Sequence, residues 1–254
     1  MTGPISHRVE SYLREQLGRG PIHFTLIDPE KSPGPLAAAV ASEAVAAGSH
    51  AILLGGSTGI TPEGMGAAAA AVKAAVRVPV VIFPEGPGSL AGEADAVLFM
   101  SLLNSRRLDL VVRAHAHAAP LVRRLGLEPI PLGYLVVAPG MRVGEVGQVD
   151  VLPRNDPAPA VGYALAAEYL GMRFVYLEAG SGAPAPVPAP IVGAVREALS
   201  IPVIVGGGIR SAADAASLLD AGAHALVTGT IAEKEGIGPA FREIVREVNR
   251  RRAG

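Results

Sequence analysis

Ala221-Gly222-Ala223-His224-Ala225-Leu226-Val227-Thr228-Gly229-Thr230 repeats, in kind and in order, Ala47-Gly48-Ser49-His50-Ala51-Ile52-Leu53-Leu54-Gly55-Gly56. Each stretch leaves an Ala-rich helical segment, passes a histidine, enters a short apolar run and ends on glycine, so one strand-and-helix unit has been used more than once. Working outward, eight such runs follow one another, at 22–27, 51–54, 78–83, 96–100, 130–137, 174–177, 203–205 and 225–228. They are apolar on consecutive residues, the pattern of strands buried on both faces, and a helix expected between each successive pair makes parallel pairing the default.

Eight units in 254 residues are the size of one closed α/β barrel. The expected fold is therefore a single (β/α)8 TIM barrel, one domain over residues 1–254. An N-terminal helix is expected within 1–20, closing the bottom, and the barrel over 21–254. Residues 6–17 carry Val9, Leu13 and Leu17 at helical spacing. A doubly wound open sheet is the alternative.

Composition narrows the function. The 22 basic and 23 acidic residues almost cancel, which argues against a nucleic-acid-binding arm. Without cysteine there is no disulfide framework and no thiol nucleophile. The first residues lack a signal peptide's apolar core, and a reducing cytoplasm is the expected compartment. The longest uncharged stretches, 44–62 and 179–195, are broken by Gly, Ser and Pro before reaching the roughly 20 apolar residues of a membrane span.

Barrel chemistry sits at the C-terminal ends of the strands, with phosphate often between the last two loops. There the chain places Gly206-Gly207-Gly208-Ile209-Arg210-Ser211 and then Gly229-Thr230. Glycines let the main chain approach an anion with free N–H groups. A third loop, Tyr176-Leu177-Glu178-Ala179-Gly180-Ser181-Gly182, puts a carboxylate at a strand end next to Gly and Ser, which suits a general base. Asp28, in Leu26-Ile27-Asp28-Pro29-Glu30-Lys31, and Ser57, after Gly55-Gly56, offer hard oxygens for Mg2+. Taken alone the pair is a weak signal, because Asp-Pro is also a common turn opener and Ser57 suits a helix N-cap.

Other features read as structural. His115 and His117 point to different faces of a helix expected over 113–124, and His50 and His224 precede strands, where backbone groups need partners. None of the three lysines, Lys31, Lys73 and Lys234, ends a strand as a Schiff-base lysine would. The arginine pairs Arg106-Arg107 and Arg123-Arg124 and the run Arg250-Arg251-Arg252 read as solvated faces. At most they would draw the chain to an anionic lipid surface or steer a pyrophosphate.

Taken together, the segments above, with Met100-Ser101-Leu102-Leu103-Asn104-Ser105 and Gly133-Tyr134-Leu135-Val136-Val137, resemble the geranylgeranylglyceryl phosphate synthase family, in order from about His23 to Glu233. The resemblance implies a Mg2+-dependent prenyltransferase that joins a polyprenyl diphosphate to sn-glycerol 1-phosphate, the first committed step of archaeal-type ether lipids. It implies Asp28 and Ser57 on Mg2+, and glycerol phosphate on Tyr176, Leu177, Glu178, Ala179, Gly180, Ser181, Gly182, Gly207, Gly208, Gly229 and Thr230. Glu178 would accept the proton of the attacking hydroxyl, and the assembly would be a homo-oligomer, a dimer or a hexamer. Val97, Leu98, Phe99, Leu102, Leu103, Tyr134 and Leu135 are candidates for a prenyl groove, each with a core role as the plainer reading. The chain departs from the family at Glu30, where many relatives carry Asp, and at Gly229-Thr230, where others carry Gly-Asn. A heptaprenylglyceryl phosphate synthase is the nearest rival; barrels of the histidine or tryptophan biosynthesis type and a non-catalytic phosphate-binding barrel are more distant ones.

Overall fold

Strand β1 (Ile22–Ile27) pairs in parallel with β2 (Ala51–Gly55) on one side and with β8 (Ala225–Thr228) on the other, which closes the sheet. Between them run β3 (Val80–Phe83), β4 (Ala96–Leu102), β5 (Glu128–Val136), β6 (Phe174–Glu178) and β7 (Val203–Gly206), each parallel to its neighbour, in the order of the chain. The computed structural model describes residues 7–56 and 59–252. The closed barrel replaces the open-sheet alternative.

Strand periodicity sorts the side chains into two cores. Phe24, Leu53, Val81, Leu98, Ile130, Phe174 and Ile204 fill the interior. Ile52, Leu54, Ile82, Val175, Leu177, Val205 and Leu226 face outward, where the Ala-rich helices α2 (Gly34–Ala47), α3 (Pro62–Ala75) and α6 (Ala158–Tyr169) cover them.

The bottom is sealed. Helix α1 (Arg8–Gly18) lays Val9 and Leu13 against the interior core. Its N-terminal amides are held by Glu128, whose carboxylate accepts from Val9 N and Glu10 N, each at 2.8 Å. At its other end Arg252 donates to the carbonyls of Gln16, Gly20 and Pro21. His50 Nδ1 accepts from His23 N and His224 Nδ1 from Val203 N, so both histidines satisfy backbone groups beside their strands.

One crossover corrects the expectation of a helix after every strand. Between β3 and β4 the chain makes only a 3-10 turn at Pro87–Ser89, because Pro84, Gly86, Pro87, Gly88 and Gly92 deny a helix its donors and its backbone stiffness. Leu90, Ala91 and Ala94 take the place of the missing helix in the outer core. After β4 a π-turn at Asp109–Arg113 leads into α4 (Ala114–Leu125). His115 Nε2 lies 2.9 Å from the Met100 carbonyl and turns its ring edge to Phe99, whereas His117 is exposed, so the two do not converge. No helix among the described residues is long and apolar enough to cross a membrane.

Candidate active site

Glu178 ends β6, two and four residues beyond Tyr176 and Phe174, and therefore shares their inward face. The residue is only 6% exposed. One carboxylate oxygen accepts from Gly180 N at 2.6 Å and the other from the Tyr134 hydroxyl at 3.2 Å, and the Tyr176 hydroxyl bonds it as well. Burial raises its pKa above the usual carboxylate range, and these three donors pull against that shift. Burial and the neighbouring Glu178 hold both tyrosines well above 10.

Tyr134 and Tyr176 are register partners across β5 and β6, with ring centroids 5.0 Å apart, and Phe83 meets both edge-on. The cluster leaves no space for a side chain on β7. A β-carbon at Gly206 would overlap the Tyr176 hydroxyl, and one at Gly207 would overlap Glu178 Oε1. Gly207 and Gly208 hold φ of +79° and +73°, a region open to glycine at little cost. Their N–H groups make no hydrogen bond to the chain among the described residues.

The loop after β6 comes alongside. Ser181 Oγ lies 3.0 Å from Thr230 Oγ1, which ties it to the loop after β8. Gly180, Ser181, Gly182, Gly207, Gly208, Gly229 and Thr230 thus gather at the ends of β6 to β8, beside Glu178 and Tyr176. Leu177 and Ala179 point the other way: their side chains are fully buried in the outer core, and the Ala179 N–H is taken by Gly206 O. Only their main chain lines this end of the barrel.

Asp28 ends β1 and is 1% exposed. Its Oδ1 accepts from Glu30 N, while its Oδ2 lies 3.2 Å from Lys31 Nζ, which also meets Glu233 on α9 (Thr230–Glu235) at 2.9 Å. The carboxylate is therefore already an anionic seat for a cation at the mouth, and its hard oxygens suit Mg2+. Ser57 lies outside the described residues.

Among the groove candidates, Val97 and Leu135 are buried against the helices, Leu98, Leu102 and Tyr134 are inside the barrel, and Phe99 and Leu103 are partly buried. Sequence reasoning missed Tyr134 as a partner of Glu178, although its equivalence with Tyr176 follows once the strands are aligned. It also missed Lys31 as the cation on Asp28, and Arg154 and Arg210, which hold the loop after β6.

The PcrB family profile matches residues 12–248. The geranylgeranylglyceryl phosphate synthase of Thermococcus kodakarensis is 46% identical over 243 residues, covering 96% of each chain. That of Methanothermobacter marburgensis is 46% identical over 239 residues, 94% of this chain and 97% of its own. The crystal structure of (S)-3-O-geranylgeranylglyceryl phosphate synthase from Thermoplasma acidophilum in complex with sn-glycerol-1-phosphate matches with a TM-score of 0.91 and 45% identity. It covers 95% of this chain and 98% of that one. A thiamine phosphate pyrophosphorylase from Pyrococcus furiosus, at 17% identity and a TM-score of 0.60, shares the fold alone. With the profile spanning the barrel and close relatives matching nearly end to end, this chain belongs to the PcrB family.

Proposed function

We propose that this chain transfers a geranylgeranyl group from its diphosphate to sn-glycerol 1-phosphate, forming an ether bond and releasing diphosphate. The observation that carries the reading is Glu178: a buried carboxylate of raised pKa beside the amides of Gly207 and Gly208, which have no partner among the described residues. The names of the relatives supply the substrates.

Gly207 and Gly208, with Ser181-Gly182 and Gly229-Thr230, hold the acceptor's phosphate through main-chain N–H groups, while the Gly180 N–H stays on Glu178. Its primary hydroxyl then lies against Glu178. As the hydroxyl oxygen bonds to the allylic carbon, its proton passes to a Glu178 carboxylate oxygen, and the carbon–oxygen bond to the diphosphate breaks with the electron pair leaving on the diphosphate. Tyr134 and Tyr176 keep the carboxylate aimed and ionised. Asp28 would hold Mg2+, with Ser57 by resemblance, and the ion when bound would neutralise charge on the diphosphate. The same site on a longer donor gives a heptaprenylglyceryl phosphate synthase. The chain acts in the cytoplasm as a homo-oligomer, a dimer or hexamer.

The test is transfer from prenyl diphosphates of several lengths to sn-glycerol 1-phosphate, with and without Mg2+, and with the sn-3 isomer as control. Product with the sn-1 isomer supports the reading and the preferred donor fixes the chain length; no product with any donor discards it. Glu178→Gln should lower turnover by about two orders of magnitude, the scale of a general base, with acceptor affinity little changed.

A further inference from the structure

We propose that Arg154 and Arg210 are positioning residues for the anion-binding loop after β6, and that their unneutralised charges attract the phosphate dianion of the acceptor. The inference rests on the proposed function and extends it to two residues outside the glycine loops.

The loop Ser181-Gly182-Ala183-Pro184-Ala185-Pro186-Val187-Pro188 carries proline at every second position from 184. Three of its residues have no N–H, so it has few donors with which to tie itself into shape. Its carbonyls are held from outside. Arg210, on the loop after β7, donates through Nη2 to Ala183 O at 2.8 Å and Gly182 O at 3.1 Å. Arg154 donates through Nη2 to Pro186 O at 2.8 Å and through Nη1 to Ala138 O, after β5, at 2.9 Å. One guanidinium thus joins the β6 and β7 loops and the other joins the β5 and β6 loops. The packing leaves no slack, since a β-carbon at Gly208 would come within 2.5 Å of Ala185 O. These two clasps set the spacing between Ser181-Gly182 and Gly207-Gly208, the groups proposed to surround the phosphate.

Charge separates the pair from eight other arginines of this chain. Arg14, Arg19, Arg106, Arg107, Arg113, Arg173, Arg250 and Arg251 each have a carboxylate within 4 Å. Among the described residues the guanidinium groups of Arg154 and Arg210 have none; their partners are carbonyls only, while the Arg210 main-chain N–H donates to Asp214 Oδ2 at 3.0 Å. A carbonyl satisfies the geometry of a guanidinium without cancelling its charge. Two positive charges therefore stand at the rim of the loop proposed to receive a dianion, where they attract it before contact and hold it after.

The experiment measures affinity for inorganic phosphate and for sn-glycerol 1-phosphate by calorimetry at several salt concentrations, with KM and kcat alongside. Arg210→Met should weaken both ligands on the order of tenfold, the scale of one lost charge near a protein surface, and flatten the salt dependence. KM should rise while kcat stays within about threefold. Arg210→Lys should keep the salt dependence yet recover only part of the affinity, because one ammonium cannot reproduce the planar fork. Arg154→Met should behave as a weaker Arg210→Met. Wild-type affinity and salt dependence in Arg210→Met, with only a lower Tm, would overturn the inference and leave a structural brace. If Arg210→Met does not fold, Arg210→Gln keeps an amide donor without the charge; an unchanged salt dependence there overturns the inference too. Inorganic phosphate keeps this result separate from the substrate assignment, because the variants rank the same way whichever phosphate ester the wild type prefers.

Discussion

Lowering the pH from 7 to 5 should destabilise this barrel well before its ordinary carboxylates titrate, because its buried histidines are built to stay neutral. His23, outward-facing on β1 and fully buried, places Nδ1 2.9 Å from Ser49 Oγ and Nε2 3.0 Å from Thr228 Oγ1, and its ring stands perpendicular to that of Phe241 with centroids 5.4 Å apart. A neutral ring gives one hydroxyl a proton and takes one from the other, and burial lowers its pKa from 6.5 to about 3. His50 and His224 are each lowered to about 4 by burial. In the unfolded chain all three return to ordinary values, so below about pH 6.5 unfolding takes up protons and stability falls as pH falls. His23 alone accounts for about 2 kcal/mol between pH 6.5 and 5, at about 1.4 kcal/mol per pH unit. His50 and His224 add on the same side until pH approaches 4, and His115, also held down by burial, adds to them. Glu178 opposes them: its raised pKa makes the folded state the proton acceptor, subtracting at most one proton. The lowered carboxylates of Glu10, Asp220 and Glu247 act only below their ordinary range, under the window considered. Urea unfolding at pH 7, 6 and 5 should show a loss corresponding to two or three protons, and the His23 ring resonances should not titrate above pH 5. Equal stability at pH 7 and 5, or a His23 ring titrating near 6.5, would refute the reasoning.

Gly206→Ala should be folded but nearly inactive, because its β-carbon takes the place of the Tyr176 hydroxyl; overpacking of this kind costs about 1–3 kcal/mol, and a variant with wild-type turnover would count against the site. Tyr134→Phe removes one donor to Glu178 and should raise the acidic limb of the pH profile of kcat/KM, since the charged carboxylate loses support; an unmoved limb would show that Tyr134 does not tune the base. Asp28→Asn should weaken Mg2+ binding in a direct titration as well as donor use, and an unaltered Mg2+ requirement would disprove the metal assignment. Light scattering should find an oligomer, with the exposed Tyr163 in the middle of α6 and Tyr169 and Leu170 at its end as the first positions at which charged substitutions are expected to dissociate it; a monomer at all concentrations contradicts the assembly.

The barrel was legible because its strands are apolar on consecutive residues, a pattern that burial on both faces alone requires. The gap in the helix layer was less so. Residues 84–95 read as punctuation, yet twelve residues are also enough for a short crossover helix, and only packing shows Leu90 and Ala94 filling its place. Glu178 stood out because a carboxylate closing an apolar run is conspicuous. Its partner Tyr134 did not, since pairing 134 with 176 depends on the stagger between β5 and β6, which no local pattern encodes. Arg154 and Arg210 were hidden for a related reason: their partners are backbone carbonyls, and any arginine near a loop in sequence could have served.

The arrangement around Glu178 also explains why so much of this site is glycine. A base that removes a proton from an alcohol benefits from a raised pKa, and burial supplies it, but burial without donors would leave the carboxylate protonated and useless. Gly180 N, Tyr134 and Tyr176 return part of the stabilisation that water would give. Fitting two phenols and a carboxylate inside an eight-stranded barrel fills the space in which the β-carbons of the next strand would stand, and so Gly206 and Gly207 follow from the tyrosines as much as from the phosphate. The same absence of side chains lets the amides of Gly207 and Gly208 meet an anion directly. One constraint of volume therefore sets both the basicity of Glu178 and the anion seat beside it, and a larger residue at position 206 or 207 cannot disturb one without the other.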